Sequence, residues 1–114
     1  MNERSVGSLT EERAAKYLTE QGITVLETNY RCPLGEADIV GKDTDGTIVF
    51  AEVKFRRSLS YGLPEEAVHA TKQNRLRRTA LYYLTEHRLS PETALRFDVV
   101  AMDSTEIRWY RDAF

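Results

Sequence analysis

Ile48-Val49-Phe50-Ala51-Glu52-Val53-Lys54-Phe55 is an apolar stretch with two charged residues near its end. Its β-branched and aromatic residues favour a β-strand, in which successive side chains point to opposite faces. Glu52 and Lys54 therefore share one face of this strand. The opposite, apolar face is formed by Val49, Ala51, Val53 and Phe55. The pattern predicts a strand that carries a polar site as well as part of the core.

A second predicted strand, Gly35-Glu36-Ala37-Asp38-Ile39-Val40, lies just upstream. The connecting segment Lys42–Gly46 reads Lys-Asp-Thr-Asp-Gly, which is typical of a hairpin turn. We therefore expect the two strands to be antiparallel, with Asp38 near Glu52. By the same alternation, Glu36 and Asp38 are expected to point the same way.

The rest of the chain predicts two helices and further strands around this hairpin. The predicted helices are Ser8–Gln21, ended by Gly22, and Pro64 to about His87, the second either continuous or broken near Ala70 and restarted with Thr71 as N-cap. The predicted strands are Ile23–Tyr30, Gly35–Gly41, Thr47–Arg56, Leu95–Met102 and Glu106–Tyr110. The order αβββαββ predicts one α/β (α+β) domain over residues 1–114, with a mixed central sheet of about five strands flanked by helices.

Composition narrows the class of protein. No apolar stretch approaches the roughly 20 residues of a membrane span, and the first residues lack the pattern of a signal peptide. The single cysteine, Cys32, excludes an internal disulfide and a cysteine zinc cluster. We therefore expect a cytoplasmic protein with no membrane partner.

Charge is unevenly distributed along the chain. The net charge is −2, but the segment from Glu52 to Arg78 has seven basic and three acidic residues, a local charge of +4. A basic region beside an acidic site suits an enzyme that holds both a metal and a polyanion. An ordinary solvated helix face has the same composition, and charge alone favours that interpretation.

The paired strands predict a site for a hard cation. Asp38 and Glu52 offer the oxygen ligands that Mg²⁺ or Mn²⁺ takes, and the carbonyl of Val53 adds another. Lys54 could face the scissile phosphate or orient the attacking water, and Arg56 continues the same face and could grip a flanking phosphate. Alternatively, Glu52 and Lys54 form a solvated charge pair worth less than ~1 kcal/mol. The residues alone leave both interpretations open.

These residues, in this order, resemble the restriction-endonuclease-like (PD-(D/E)xK) nuclease superfamily. In more detail, the chain is similar to small bacterial YraN-like proteins, related to Holliday junction resolvases, over nearly its full length. The matching segments are Gly7, Glu11, Ala14, Tyr17-Leu18, Gly22, Asn29-Tyr30-Arg31, Gly35 to Val40, Val49 to Arg56, Pro64 to Val68, Lys72-Gln73, Arg75-Leu76, Arg96 to Val100 and Ala113-Phe114.

Two positions depart from the family pattern. Thr10 stands where glycine is common, and Phe55 stands where a threonine often follows the strand lysine. Neither departure removes an acidic residue or the lysine of the signature.

The resemblance implies that Asp38, Glu52 and Lys54 are the catalytic set. It also implies that Asp38 and Glu52 bind Mg²⁺ or Mn²⁺, with Glu11 of the first helix as a third metal ligand. Glu11 has an alternative role, because Ser8-x-x-Glu11 reads as a helix capping box. Glu36 is either an assisting acid or an exposed strand residue.

Nucleic-acid contacts are implied for a basic and polar set: Arg56, Lys72, Gln73 and Arg75. The expected activity is metal-dependent endonucleolytic hydrolysis of DNA, with branched or repair intermediates as candidate substrates. The oligomeric state is left open by the residues, and a homodimer is suggested only by analogy with small domains of this fold, which often pair. The alternatives are a catalytically weak or inactive nuclease-fold module that binds nucleic acid or a protein partner, and a structural subunit of a larger complex.

Overall fold

The computed structural model describes residues 6–59 and 70–114. The elements are α1 (Val6–Glu20), β1 (Thr24–Cys32), β2 (Gly35–Lys42), β3 (Ile48–Phe55), α2 (Ala70–Glu86), β4 (Leu95–Met102) and β5 (Ile107–Tyr110). The predicted order αβββαββ is confirmed, and the predicted bounds of β4 are matched at both ends.

The five strands form one mixed sheet in the order β1-β2-β3-β4-β5. Three of the pairings are antiparallel, and β3 with β4 is parallel. Parallel neighbours need a crossover connection, and α2 lies in the connection between β3 and β4. The predicted hairpin of β2 and β3 is confirmed, with its turn closed by the Asp43 N–H donating to the Thr47 carbonyl at 2.9 Å.

Helix α1 packs on the sheet through an apolar stripe that includes Ala14 and Leu18, both fully buried. Residues four apart lie on one face of a helix, so this pair points toward the strands. The helix ends before Gly22, whose φ of 102° suits glycine, and the Ile23 N–H donates to the Leu18 carbonyl at 3.0 Å. The chain then enters β1.

The helix starts require two corrections to the prediction. Helix α1 begins at Val6, so Ser8 lies inside its first turn and cannot be the N-cap of a Ser8–Glu11 capping box. Ala70 and Thr71 are both helical, so Thr71 is not an N-cap either. The predicted helical stretch from Pro64 to His69 lies outside the described residues.

Two hydrophobic clusters lie on opposite faces of the sheet, and β3 contributes residues to both. The cluster on the α1 side contains Ala14, Leu18, Ile23, Ile39, Val49, Ala51, Val100 and Met102. The cluster on the α2 side contains Tyr30, Ala37, Val40, Ile48, Phe50, Leu76, Ala80 and Tyr83. Alternation along β3 therefore directs Glu52 and Lys54 to the α2 side, beyond Ile48 and Phe50. Phe55, predicted on the apolar face, ends the strand and is 43% exposed.

Strand β2 departs from regular alternation at Asp38. Ala37 packs in the α2-side cluster and Ile39 in the α1-side cluster, although they are two residues apart. Regular pairing with β3 also ends there, at Ile39 opposite Ala51. The two strands therefore separate beside Asp38, and this opening positions the site described below.

Among residues 6–59 and 70–114, neither helix is long and apolar enough to cross a membrane.

Candidate active site

Glu52 is the central residue of a charged cluster between β3 and α2. It is only 6% exposed, and its Oε1 atom contacts two ammonium groups. Lys54 Nζ, from the same strand, lies 3.4 Å away, and Lys72 Nζ, from the first turns of α2, forms the shorter contact. A buried carboxylate is stable only when its charge is compensated, and the two lysines supply that compensation.

Asp38 lies beside Glu52 at the point where β2 and β3 separate. Its Oδ2 accepts a hydrogen bond from the Val53 N–H at 2.8 Å. Burial and then the negative charge of Glu52 raise the pKa of Asp38 to about 7, and Glu11 adds to that rise. The Val53 hydrogen bond and Lys72 oppose the rise. Three carboxylates from α1, β2 and β3 therefore interact electrostatically in this region.

The surroundings shift the pKa values of the two lysines in opposite directions. Burial lowers the pKa of Lys54, and the neighbouring Lys72 lowers it further, against the attraction of Glu52. Burial opposes protonation of Lys72 as well, but its hydrogen bond to Glu52 and the charge of Glu52 raise the pKa of Lys72 overall. Lys72 is thus the main counter-ion of Glu52, and its side chain is 44% exposed compared with 19% for Lys54.

A cavity of about 580 Å³ opens next to Glu52, between the end of the β1–β2 hairpin and the start of α2. Its lining residues are Arg31, Cys32, Gly35, Glu36, Glu52, Thr71, Lys72, Arg75 and Leu76. Three of them are basic and two, Glu36 and Glu52, are acidic, and this basic excess makes the cavity a candidate site for an anionic group.

Gly35 allows α2 to approach the hairpin closely. Its φ is 151°, and a Cβ atom there would lie 2.7 Å from Thr79 Oγ1 and 2.8 Å from Arg75 Cγ. Any larger residue would force these two side chains of α2 to shift. Because Lys72 is carried by α2, Gly35 helps to place the lysine on Glu52.

The structure brings together Asp38, Glu52, Lys54 and Lys72, all of which the sequence singled out. Arg75 lines the adjacent cavity. Glu36 forms an ion pair with Arg31 at 3.3 Å, and both side chains are mostly exposed.

Two of the predicted nucleic-acid contacts lie outside this cavity. The guanidinium of Arg56 donates to the Phe55 carbonyl at 3.3 Å, and Gln73 is a half-buried residue next to Lys72 on α2. Neither is among the described residues that line the cavity.

Sequence reasoning missed Arg31 and Gly35 as parts of this region, and it missed the contact between Lys72 and Glu52. Arg31 and Gly35 both occur in the matching family segments, and the turn around Pro33 was a signal that they lie close together in space. The Lys72 contact had no local signal, because 20 residues separate it from Glu52.

The donor set suits a hard divalent cation. Asp38, Glu52 and the Val53 carbonyl offer oxygen ligands, and Mg²⁺ typically takes one or two carboxylates and keeps several waters. Two ammonium groups on one carboxylate oxygen also supply the charge that such an ion would bring. In the described part of the chain, no three His, Cys, Asp or Glu side chains are grouped closely enough to hold an ion by themselves.

The fold is shared with a nuclease of known structure. A repair endonuclease from Pyrococcus abyssi aligns with a TM-score of 0.50 and 16% identity, over 92% of this chain and 42% of the endonuclease. The likeness and the αβββαββ order confirm the predicted restriction-endonuclease-like fold.

Sequence comparison identifies the family. A UPF0102 protein from Lachnoclostridium phytofermentans is 49% identical over 100% of this chain and 96% of its own length. A UPF0102 protein from Syntrophus aciditrophicus is 50% identical over 95% of this chain and 87% of its own length. The family model described as "Uncharacterised protein family UPF0102" matches residues 10–102. The resemblance to YraN-like proteins is thereby confirmed, and the chain belongs to the UPF0102 family.

Proposed function

We propose that this protein is a Mg²⁺- or Mn²⁺-dependent nuclease that hydrolyses phosphodiester bonds in DNA. The observation that supports the proposal is the convergence of Asp38, Glu52 and Lys54 beside a cavity lined by basic residues. The nuclease fold shared with a repair endonuclease is consistent with it.

Each residue has a role that follows from its chemistry. Asp38 and Glu52 would hold the cation, and Glu11 would assist through its charge on the same region. A divalent cation held there would polarise the phosphate and lower the pKa of a bound water. Lys54, held close to Glu52 and mostly buried, would stabilise the negative charge that develops on the phosphate.

Nucleic-acid binding would use the basic side of the cavity. Lys72 and Arg75 line it, Arg56 directly follows β3, and Gln73 is next to Lys72 on α2. Their contacts would position the phosphate backbone and carry no sequence information. Branched or otherwise unpaired DNA intermediates are the substrates we propose to test first, because the likeness in fold is to a repair enzyme.

The test is cleavage of labelled duplex, single-stranded, flap and four-way-junction DNA, and of RNA, in Mn²⁺ or Mg²⁺. We expect metal-dependent cutting by wild type and a loss of about 10²-fold or more in Glu52→Gln and Lys54→Met. Glu106→Gln is the matched control, since Glu106 pairs with Arg108 on β5, two strands away from β3 in the sheet. Cutting that survives in Glu52→Gln would contradict the proposal.

A second candidate function is nucleic-acid binding without cleavage. The observation that favours it is the neutralisation of Glu52 by two lysines, which leaves a stable pair in place of an open ligand. In this case folded wild type would bind DNA with a salt-dependent affinity, and it would cut none of the substrates in either metal.

A further inference from the structure

We infer that Lys72 is an internal counter-ion that a divalent cation must displace from Glu52, and that the displaced ammonium group then binds a substrate phosphate. This inference rests on the proposed metal site at Asp38 and Glu52. It adds a coupling between cation binding and polyanion binding, with Lys72 as the residue that links them.

The first argument is the position of Lys72 on Glu52. Its Nζ contacts the same Oε1 atom that Lys54 approaches at 3.4 Å. A divalent cation bound by Asp38 and Glu52 would place its charge of +2 beside the positively charged Nζ of Lys72. Charges that are this close repel each other strongly in a partly buried site. The lysine and the cation therefore compete for one carboxylate.

The second argument is that Lys72 is the lysine able to leave. Lys54 is attached to β3 two residues from Glu52, and its side chain is 19% exposed. Lys72 lies in the first turns of α2, on a different element from Glu52, and its side chain is 44% exposed. A long lysine side chain with solvent beside it can rotate away without moving the backbone.

The third argument is the space available to the displaced group. Lys72 lines the cavity of about 580 Å³ together with Arg75 and Arg31. Once off Glu52, its ammonium group would join two guanidinium groups around this space. Arg31 is paired with Glu36, which also lines the cavity, but three cations against this one carboxylate still favour the binding of a phosphate. Cation binding would thus release a positive charge toward the substrate.

The coupling must be reciprocal. If a bound cation strengthens the binding of a polyanion, the polyanion strengthens the binding of the cation by the same factor. A lysine that served only as a DNA contact would leave the affinity for the cation unchanged when removed. If the lysine were needed to hold Glu52 in position, its removal would weaken the affinity for the cation.

The first experiment measures Mn²⁺ affinity by isothermal titration calorimetry on the full chain without nucleic acid. We expect Lys72→Met to bind Mn²⁺ about tenfold more tightly than wild type, a change that corresponds to about 1.4 kcal/mol. Arg78→Met is the control, because Arg78 is an exposed residue further along α2, and its affinity should equal that of wild type. Glu52→Gln should lose the binding.

The outcomes separate this inference from the proposed function. If wild type binds Mn²⁺, Glu52→Gln does not, and Lys72→Met binds no more tightly than wild type, the counter-ion role is overturned and the metal site stands. If neither wild type nor Lys72→Met binds Mn²⁺, both proposals fail. If Lys72→Met binds Mn²⁺ more tightly than wild type and Arg78→Met does not, the metal site and the counter-ion role are both supported.

The second experiment tests the coupling by fluorescence anisotropy of a short labelled duplex, with and without Ca²⁺, the duplex being checked for cutting on a gel. We expect Ca²⁺ to increase the affinity of wild type for the duplex severalfold, and Lys72→Met to lose most of that increase. Arg78→Met should retain it. An equal increase in wild type and Lys72→Met would overturn the second half of the inference.

Discussion

The Asp38 carboxylate accepts a hydrogen bond from the backbone N–H of Val53 at 2.8 Å, just beyond the last regular pair between β2 and β3. The Asp38 side chain thus accepts from a backbone N–H that lies beyond the regular ladder of the two strands. This hydrogen bond also holds the Asp38 carboxylate next to Glu52, so two acidic side chains from neighbouring strands stay close despite their repulsion.

Removing the Asp38 charge should stabilise the fold while abolishing cation binding. Asp38→Asn keeps an oxygen that can accept the Val53 N–H, and it removes a partly buried charge that repels Glu52. We expect the free energy of unfolding without metal to rise by about 1 kcal/mol, as is common when a strained site is relaxed. Urea unfolding at neutral pH would measure it.

The same variant should lose Mn²⁺ binding in calorimetry, because an amide is a poor substitute for a carboxylate ligand. The control is Glu36→Gln, an exposed carboxylate two residues earlier that pairs with Arg31, and it should change stability by less than about 0.5 kcal/mol. An Asp38→Asn protein less stable than wild type would show that its carboxylate is a net stabiliser.

Glu11 should act on the cation through its charge. It contributes to the raised pKa of Asp38 from its position on α1, so its field reaches the proposed ligands. We expect Glu11→Gln to weaken Mn²⁺ binding about tenfold, the order of effect typical of residues around a metal's direct ligands.

The control for Glu11 is its exposed neighbour on the same helix. Glu12→Gln changes the net charge by the same amount, but Glu12 is an exposed residue whose side chain leaves the helix about 100° away from that of Glu11. Equal losses in the two variants would mean that only net charge matters, and the assignment of Glu11 to the site would be withdrawn.

Gly35→Ala should loosen the contact between α2 and the hairpin. The new methyl group would meet Thr79 Oγ1 and Arg75 Cγ at 2.7 and 2.8 Å, in addition to the cost of a φ of 151°. We expect a loss of about 2–3 kcal/mol in the free energy of unfolding, measured in urea.

Gly22→Ala provides the matched control for Gly35→Ala. Gly22 also has a positive φ, 102°, but among the described residues beyond its two chain neighbours no atom lies within 4 Å of the position that a Cβ would take there. Its loss should be limited to the backbone cost, about 1 kcal/mol. Similar losses at the two glycines would show that close packing against α2 contributes little.

The protein should lose a stabilising contribution of ionised Asp103 in acid. Hydrogen bonds from the backbone N–H groups of Leu59, Thr105 and Glu106 lower the pKa of Asp103 to about 2. Because this folded pKa lies below the ordinary value of 3.8, the ionised group stabilises the fold above pH 3.8. That contribution is lost as the pH falls from 3.8 toward 2.

The measurement is urea unfolding of wild type and Asp103→Asn across this pH range. Wild type should be more stable than the variant above pH 3.8, and the difference should shrink as the pH approaches 2. Using the difference between the two proteins removes the contributions of other acidic groups. A difference that is independent of pH would contradict the assignment.

Local patterns were sufficient for the secondary structure and for part of the site. Alternation, turn chemistry and helical periodicity act between residues that are close in the chain, so they predicted β4 at both ends and the β2–β3 hairpin. The hairpin in turn brought Asp38 to Glu52, because an antiparallel pair with a short turn leaves little freedom in register.

The partners of the charged residues depend on how the elements pack. The pairing of Lys72 with Glu52 requires the close approach of α2 to the hairpin, which Gly35 permits. Asp98 is fully buried and is bound by Arg96, Trp109 Nε1 and the Asp112 N–H, a network that the apolar pattern of β4 did not indicate.

The order of amino acids was thus enough to predict the succession of the elements and to single out Asp38, Glu52 and Lys54 as residues that could carry chemistry. Which charge compensates which became clear only in the folded chain, because a buried charge takes its partner from whichever element packs against it, at any distance along the chain.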